Sequence, residues 1–306
     1  MNIVRAEDYH VPVMLQECLE GMQLRPEGCY VDVTFGGGGH SRAILKELQG
    51  AGMLYSFDQD PDAAARAPQQ PCFTFIASNF RHLARFMDYY DRLGQVDAIL
   101  ADLGVSSHHF DAMERGFSFR DETPLLDMRM NNRAGLSARD LLNSYEEEQL
   151  ADVLYRYGEL KQSRSLAKLI VKARSVAPLQ TVGDLIAALR PALRPDQEKK
   201  LLACIFQALR IEVNSELKAL EELLEASLRV LRPGGRLVVM TYHSLEDRIV
   251  KNFLKGTDDS AEAQIYGTAR SAWRLVTRKP LVASAEELER NPRSRSAKLR
   301  IAERIR

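Results

Sequence analysis

The 306-residue sequence has no apolar run approaching the roughly 18 residues that a membrane-spanning helix needs. Met1 to His10 mixes polar and charged residues, so no secretory signal is expected there. Cysteine is scarce, and Cys18, Cys29, Cys72 and Cys204 stand far apart with no Cys-x-x-Cys pair. That spacing argues against a zinc ribbon and against a disulfide scaffold. Net charge is missing as well, with 42 basic residues against 42 acidic ones. Generic polyelectrolyte binding is therefore not the main business of the chain. There is no internal repeat and no low-complexity tract. What is there is globular composition, 45% apolar and 27% charged. The length suits one large domain or two ordinary ones. A cytoplasmic protein with no membrane partner is the expectation.

The most informative stretch is Tyr30-Val31-Asp32-Val33-Thr34-Phe35-Gly36-Gly37-Gly38-Gly39-His40-Ser41. A β-type run, Cys29–Val33, feeds four glycines, and these feed a helix-like run, Ser41–Leu48. Glycine lacks a Cβ and tolerates positive φ, so the backbone can lie against a nucleotide-like ligand. Strand, glycine turn and helix form the first βα turn of a doubly wound sheet.

Further strands are expected at Met53–Phe57, Phe73–Ala77 and Val96–Ala101, with a helix over Phe80–Leu93. This alternation predicts a parallel sheet covered by helices on both faces. The rhythm breaks after strand 4. From Phe110 to Arg133 the chain is polar, and from Leu136 to about Leu202 it is helical with no strand candidate. Ser144 with Glu147 is a capping-box pattern, and Thr181 with Asp184 is another. Residues 111–204 therefore read as a helical insertion, within a domain made of 1–110 and 205–306. Leucines at 217, 220, 224, 228 and 231 mark an amphipathic helix over Ser215–Leu231. Arg232-Pro233-Gly234-Gly235 turns the chain into strand 5, Arg236–Tyr242. Trp273–Arg278 and Lys298–Ala302 are short strands suited to an antiparallel pair, and 256–270 reads as a mobile loop.

Two cofactors compete for such a glycine turn. A nicotinamide fingerprint wants Gly-x-Gly-x-x-Gly, and its third position here falls on Ser41. Asp58, ending strand 2, suits the ribose hydroxyls of either cofactor. Three features favour S-adenosyl-L-methionine (SAM). Asp32-x-Thr34-x-Gly36-x-Gly38 looks like a methyltransferase loop with threonine at its first glycine. Strand 4 ends in Asp102, within Leu100-Ala101-Asp102-Leu103-Gly104. Arg232-Pro233-Gly234-Gly235-Arg236-Leu237 is the type of turn that enters strand 5 of that fold. Asp102 also suits a helix N-cap.

Longer blocks carry a more specific likeness. They include His10–Leu15, Gly37–Arg42, Asp102–Ser107, Glu114–Phe119, Leu126–Met130, Phe206–Leu217, His243–Arg248 and Asn291–Ser296. Over residues 9 to 304 the chain resembles the bacterial 16S ribosomal RNA cytosine-N4 methyltransferases, the family called RsmH or MraW. The resemblance implies an α/β, Rossmann-like class I SAM-dependent methyltransferase, with a mostly parallel seven-stranded sheet and an all-helical insertion after strand 4. It implies SAM as cofactor. The implied substrate is a decoding-centre cytosine of 16S rRNA, in the small ribosomal subunit or its late assembly intermediate. Cofactor contacts carry over to Gly36, Gly38, Gly39, His40, Asp58, Phe80, Asp102 and His109. The chain departs from the family at Gly37, where arginine is usual and where a looser loop is expected. It departs again at His108-His109, which stand for Pro-Gln. Lys199–Ile205 replaces the usual small and basic residues before Phe206.

The cytosine amine is a poor nucleophile, because its lone pair is conjugated with the ring. Asp102 is the candidate to orient the donor and accept a hydrogen bond from that amine. The block after strand 5 offers His243 and Arg248 to hold the flipped nucleotide or its phosphate. The alternative is that His243 and Glu246 cap the next helix. Phe117 and Phe119 are candidates to stack on the base, or are packing residues. No metal site is expected, since adjacent His108 and His109 point apart and have no third ligand nearby. From Arg270 to Arg306 eleven Lys/Arg face four Glu, an excess of seven that includes Arg293 and Arg295. This tail, and Arg164, Lys168, Lys172 and Arg174 of the insertion, are the candidate RNA contacts. The rival functions are a SAM-dependent enzyme acting on a small molecule or protein, and a non-catalytic SAM-binding ribosome-assembly factor. The oligomeric state, a homodimer included, is left open.

Overall fold

The computed structural model describes residues 12–104, 115–133, 135–256 and 271–305. The chain divides into two compact units, Met1–Gly104 with Lys218–Arg306, and Val105–Leu217. The sequence placed these boundaries at 110 and 204. The helix Glu198–Asn214 runs unbroken through position 204, with Leu201, Leu202, Ile205 and Leu209 all buried in the core of the second unit.

The first unit is built on seven strands: β1 Cys29–Asp32, β2 Met53–Asp58, β3 Phe73–Ala77, β4 Val96–Asp102, β5 Leu231–Thr241, β6 Trp273–Leu275 and β7 Lys298–Arg304. Their order is β3-β2-β1-β4-β5-β7-β6. The first five run parallel, and β7 is antiparallel to both β5 and β6. The five parallel strands are those the strand pattern predicts, and the whole is the Rossmann-like, mostly parallel seven-stranded sheet that the resemblance implies. Alternate side chains of β4 enter different cores. Ile99 and Ala101 pack with Leu220, Leu224 and Val250, while Ala98 and Leu100 pack with Cys18, Met22 and Ile44. Both faces are therefore covered, which is why β4 reads as a continuous apolar run.

Three local expectations need correction. The Arg-Pro-Gly-Gly segment does not precede β5 but bulges out of it. Val96 pairs with Leu231 and Ala98 with Arg236, so residues 232–235 loop out opposite Asp97. Asp97 holds that bulge, taking Arg232 Nε at 2.5 Å, the Arg25 guanidinium and the Cys29 N–H at 2.8 Å. The helix expected over Phe80–Leu93 is a 3-10 turn, Phe80–His82, followed by Leu83–Tyr89. Ser144 is the last residue of the helix Ala138–Ser144, and its hydroxyl donates to the Asp140 carbonyl. The caps on either side of it are Ser137 with Asp140 and Glu146 with Gln149, whereas Thr181 with Asp184 caps as expected.

The second unit is helical, with Ala138–Ser144, Glu147–Gly158, Ser163–Arg174, Val182–Leu189 and Glu198–Asn214 around one apolar core. Its approach segment is tied down by Asn214. The Asn214 amide donates to Met128 O and accepts from Met130 N, each at 2.8 Å. Among the described residues no helix is long and apolar enough to cross a membrane. The loop expected over 256–270 lies, from 257 onward, outside the described residues.

Candidate active site

β1 lies between β2 and β4, and the strand order reverses there. A crevice opens beyond the carboxyl ends of strands at such a switch point. Asp32, Asp58 and Asp102 end these three strands.

Asp32 is fully buried, and its oxygens are used internally. Oδ1 accepts the Thr34 N–H at 3.0 Å and Oδ2 accepts the Ser41 hydroxyl at 2.6 Å. Burial pushes its pKa up, and the Ser41 bond opposes that. The Thr34 hydroxyl lies 3.4 Å from Asp32 Oδ1 and accepts the Asp102 N–H at 2.7 Å. The threonine that stands for a glycine in the loop pattern thus links the ends of β1 and β4.

The glycine turn is braced from both sides. Gly36 N–H donates to Asp58 Oδ2 at 2.8 Å, and Asp60 N–H donates to Oδ1 at 2.8 Å. Gly38 has a φ of 76°, and a Cβ there would come within 2.7 Å of the Phe35 ring and of Arg42. The helix Gly39–Leu48 starts directly after it, with the unpaired N–H groups of a helix start. Arg42 donates to the Gly37 carbonyl at 2.7 Å. Phe80 opens its 3-10 turn behind Asn79, whose side chain donates at 2.8 Å to Gln59, next to Asp58.

Asp102 is partly buried, with 23% of its side chain accessible. Its Oδ1 accepts the Tyr242 hydroxyl at 2.7 Å, and its Oδ2 lies 3.7 Å from His40 Nδ1. His40 Nε2 sits 3.1 Å from the Val13 carbonyl. A carbonyl only accepts, so Nε2 carries the hydrogen and Nδ1 faces Asp102. Burial lifts the Asp102 carboxyl to about 6, against the pull of His40 and Tyr242, and the Asp32 and Glu246 carboxylates add to the lift. Tyr242 is the residue that sequence reasoning missed. Its signal lay beside the His243 block, as a hydroxyl-bearing aromatic just past β5.

His243 sits at the N-cap of the helix Ser244–Lys255. Its Nε2 is 3.1 Å from Glu246 Oε1, and the backbone N–H groups of Tyr242 and His243 point at Glu246 Oε2, at 2.9 and 3.4 Å. Arg248 is exposed on that helix, and neighbouring Asp247 takes Arg300 at 2.8 Å. His109 lies outside the described residues.

A profile of the MraW methylase family matches residues 7–305. The chain belongs to the MraW methylase family. Similar proteins include the ribosomal RNA small subunit methyltransferase H of Porphyromonas gingivalis, 63% identical with 97% of each chain covered. The protein of that name from Parabacteroides distasonis is 61% identical, with 97% of this chain and 98% of its own covered. The one from Bacteroides thetaiotaomicron is 57% identical over 97% of each chain. SAM is the methyl donor of this MraW methylase. The strand ends fit it. A carboxylate has about four acceptor sites and suits a pair of ribose hydroxyls, as Asp58 would. The turn at Gly36 to Gly39 carries no side chains of its own, which suits a closely approaching ligand, and acidic Asp102 suits its cationic end.

Phe117 is buried in the helical core with the Arg115 guanidinium 5.6 Å above its ring, and Phe119 packs edge-on against Phe206 at 5.4 Å. Arg164, Lys168 and Lys172 are exposed along one side of Ser163–Arg174. Arg174 turns inward and donates to Leu142 O at 2.7 Å. Arg293 and Arg295 are exposed on a 3-10 turn, Pro292–Ser296, which buried Asn291 and Ser294 anchor.

Proposed function

We propose that this enzyme transfers a methyl group from SAM to the exocyclic N4 amine of a cytosine in the decoding centre of 16S rRNA. The single observation that carries the chemistry is Asp102, a partly accessible carboxylate at the end of β4, close to His40 of the glycine turn. When bound, SAM supplies a methyl group on a sulfonium, whose carbon–sulfur pair returns to sulfur as the methyl leaves. Asp102 accepts the proton that the amine nitrogen loses as it bonds to carbon. Asp58 and the turn at Gly36, Gly38 and Gly39 hold the donor, with Phe80 beside them. Tyr242 donates a hydrogen bond to the Asp102 side chain, and His40 lies nearby. Alignment of reactants of this kind can supply about 7–11 kcal/mol of a barrier. The base must leave its stack, at a cost of a few kcal/mol.

The helical unit serves as the rRNA-recognition element, through the Arg164, Lys168 and Lys172 row. Arg293 and Arg295 contribute further phosphate contacts, and His243 and Arg248 flank the nucleotide. The substrate is the small subunit or its late assembly intermediate, and the reaction takes place in the cytoplasm. Tritiated methyl from SAM, followed into small subunits that lack the modification, tests this reading. The expected label maps to one cytosine amine and is lost in Asp102→Asn. Label on a protein or a small molecule, or no label with SAM still bound, contradicts it.

A further inference from the structure

We propose that Tyr242 is a positioning residue for methyl transfer, holding Asp102 Oδ1 so that Oδ2 alone faces the reacting amine, with Gly104 reserving the space for its ring. This rests on the reading of Asp102 as the proton acceptor.

The two oxygens of Asp102 are not equivalent. Oδ1 takes a 2.7 Å hydrogen bond from the Tyr242 hydroxyl. Among the described residues Oδ2 has His40 Nδ1 at 3.7 Å, beyond hydrogen-bond length. The backbone of Asp102 is pinned separately, by Thr34 Oγ1 at 2.7 Å. The carboxylate is left with its two side-chain rotations, about Cα–Cβ and Cβ–Cγ, and Tyr242 locks them. Tyr242 remains a donor because burial first, and the Asp102 charge next, push its phenol above the ordinary range.

Gly104 completes the arrangement. Its φ is +123°, and a Cβ there would come 2.9 Å from Tyr242 Cδ2. A side chain at 104 would thus push the ring off its place as well as strain the backbone. The Asp102-Leu103-Gly104 segment and Tyr242 act as one unit, although 140 residues separate the hydrogen-bonded pair.

The test reads the ligand-free protein as well as turnover. Asp102 is observed by carbon NMR of labelled aspartate, assigned by the signal missing in Asp102→Asn. The charged and titratable groups facing it are His40, Tyr242, Asp32, Glu246 and Cys18. In Tyr242→Phe the ring stays and only the hydroxyl goes, so native circular dichroism is expected. Losing a hydrogen bond to the charged form raises the carboxyl titration by about one pH unit. The acid limb of methyl transfer moves up with it, and kcat falls about ten-fold while KM for SAM changes less than about three-fold. An unmoved Asp102 titration overturns the proposal. So does a moved titration with an unmoved acid limb and kcat. Near-normal turnover in Asp102→Asn would instead defeat the acceptor reading, and the Tyr242→Phe titration still reports the Tyr242–Asp102 bond on its own.

Discussion

The two units of this methylase handle buried polarity in opposite ways. The sheet unit buries Asp32 and Glu246 and partly buries Asp102 near the ends of its strands, each held by hydroxyl or backbone donors. The helical unit buries almost only apolar side chains, and its least exposed ion pairs among the described residues, Asp127 with Arg129 and Arg210 with Glu216, join side chains two and six positions apart. Burying an ionisable group is costly unless donors satisfy it. A protein accepts that cost where chemistry needs a shifted pKa. This contrast supports the proposal that the first unit carries the catalysis.

Substitutions on each side should break this contrast differently. The largest effect is expected for Asp102→Asn, which keeps the shape and removes the acceptor. Turnover should fall about 10²–10⁴-fold in a methyl-incorporation assay. A loss under ten-fold would place the proton elsewhere. Next is Asn214→Ala in the helical unit, which leaves Met128 O and Met130 N without their partner. A destabilisation of about 2–3 kcal/mol is expected in denaturant melts, with the affinity for S-adenosylhomocysteine unchanged by calorimetry. Thr34→Val should cost about 1–3 kcal/mol and lower that affinity too, because its hydroxyl joins β1 to Asp102. The smallest stability effect is expected for the triple change of Arg164, Lys168 and Lys172 to Gln, within about 0.5 kcal/mol. Its signature is weaker rRNA binding and a flatter dependence on salt, by about two to three in the log–log slope. An unchanged slope would remove this row from the RNA contacts.

How far these features could be read from the sequence depended on their range. The five parallel strands were legible because each is a short apolar run between turn signals. The strand-end positions of Asp58 and Asp102 were legible because each acid directly follows an apolar run. Tyr242 was not, since its meaning lies in a partner 140 positions away. Nor was the β5 bulge, because proline and two glycines read as a turn unless Asp97 is known to face them. Ser144 misled because Asp140, not Glu147, is the acidic half of a cap, and its serine is Ser137. The helical boundary at 217 was hidden because one apolar helix, Glu198–Asn214, belongs wholly to the second core.

The pH profile of single-turnover methyl transfer to small subunits lacking the modification bears most directly on Asp102. The folded carboxyl sits above its ordinary value, and only its ionised form can accept a proton. The rate should be half-maximal at pH about 6, level off well above it and fall as pH drops through it, with all label on one cytosine N4. A rate that is flat through that range, or that survives Asp102→Asn, would contradict an accepting Asp102.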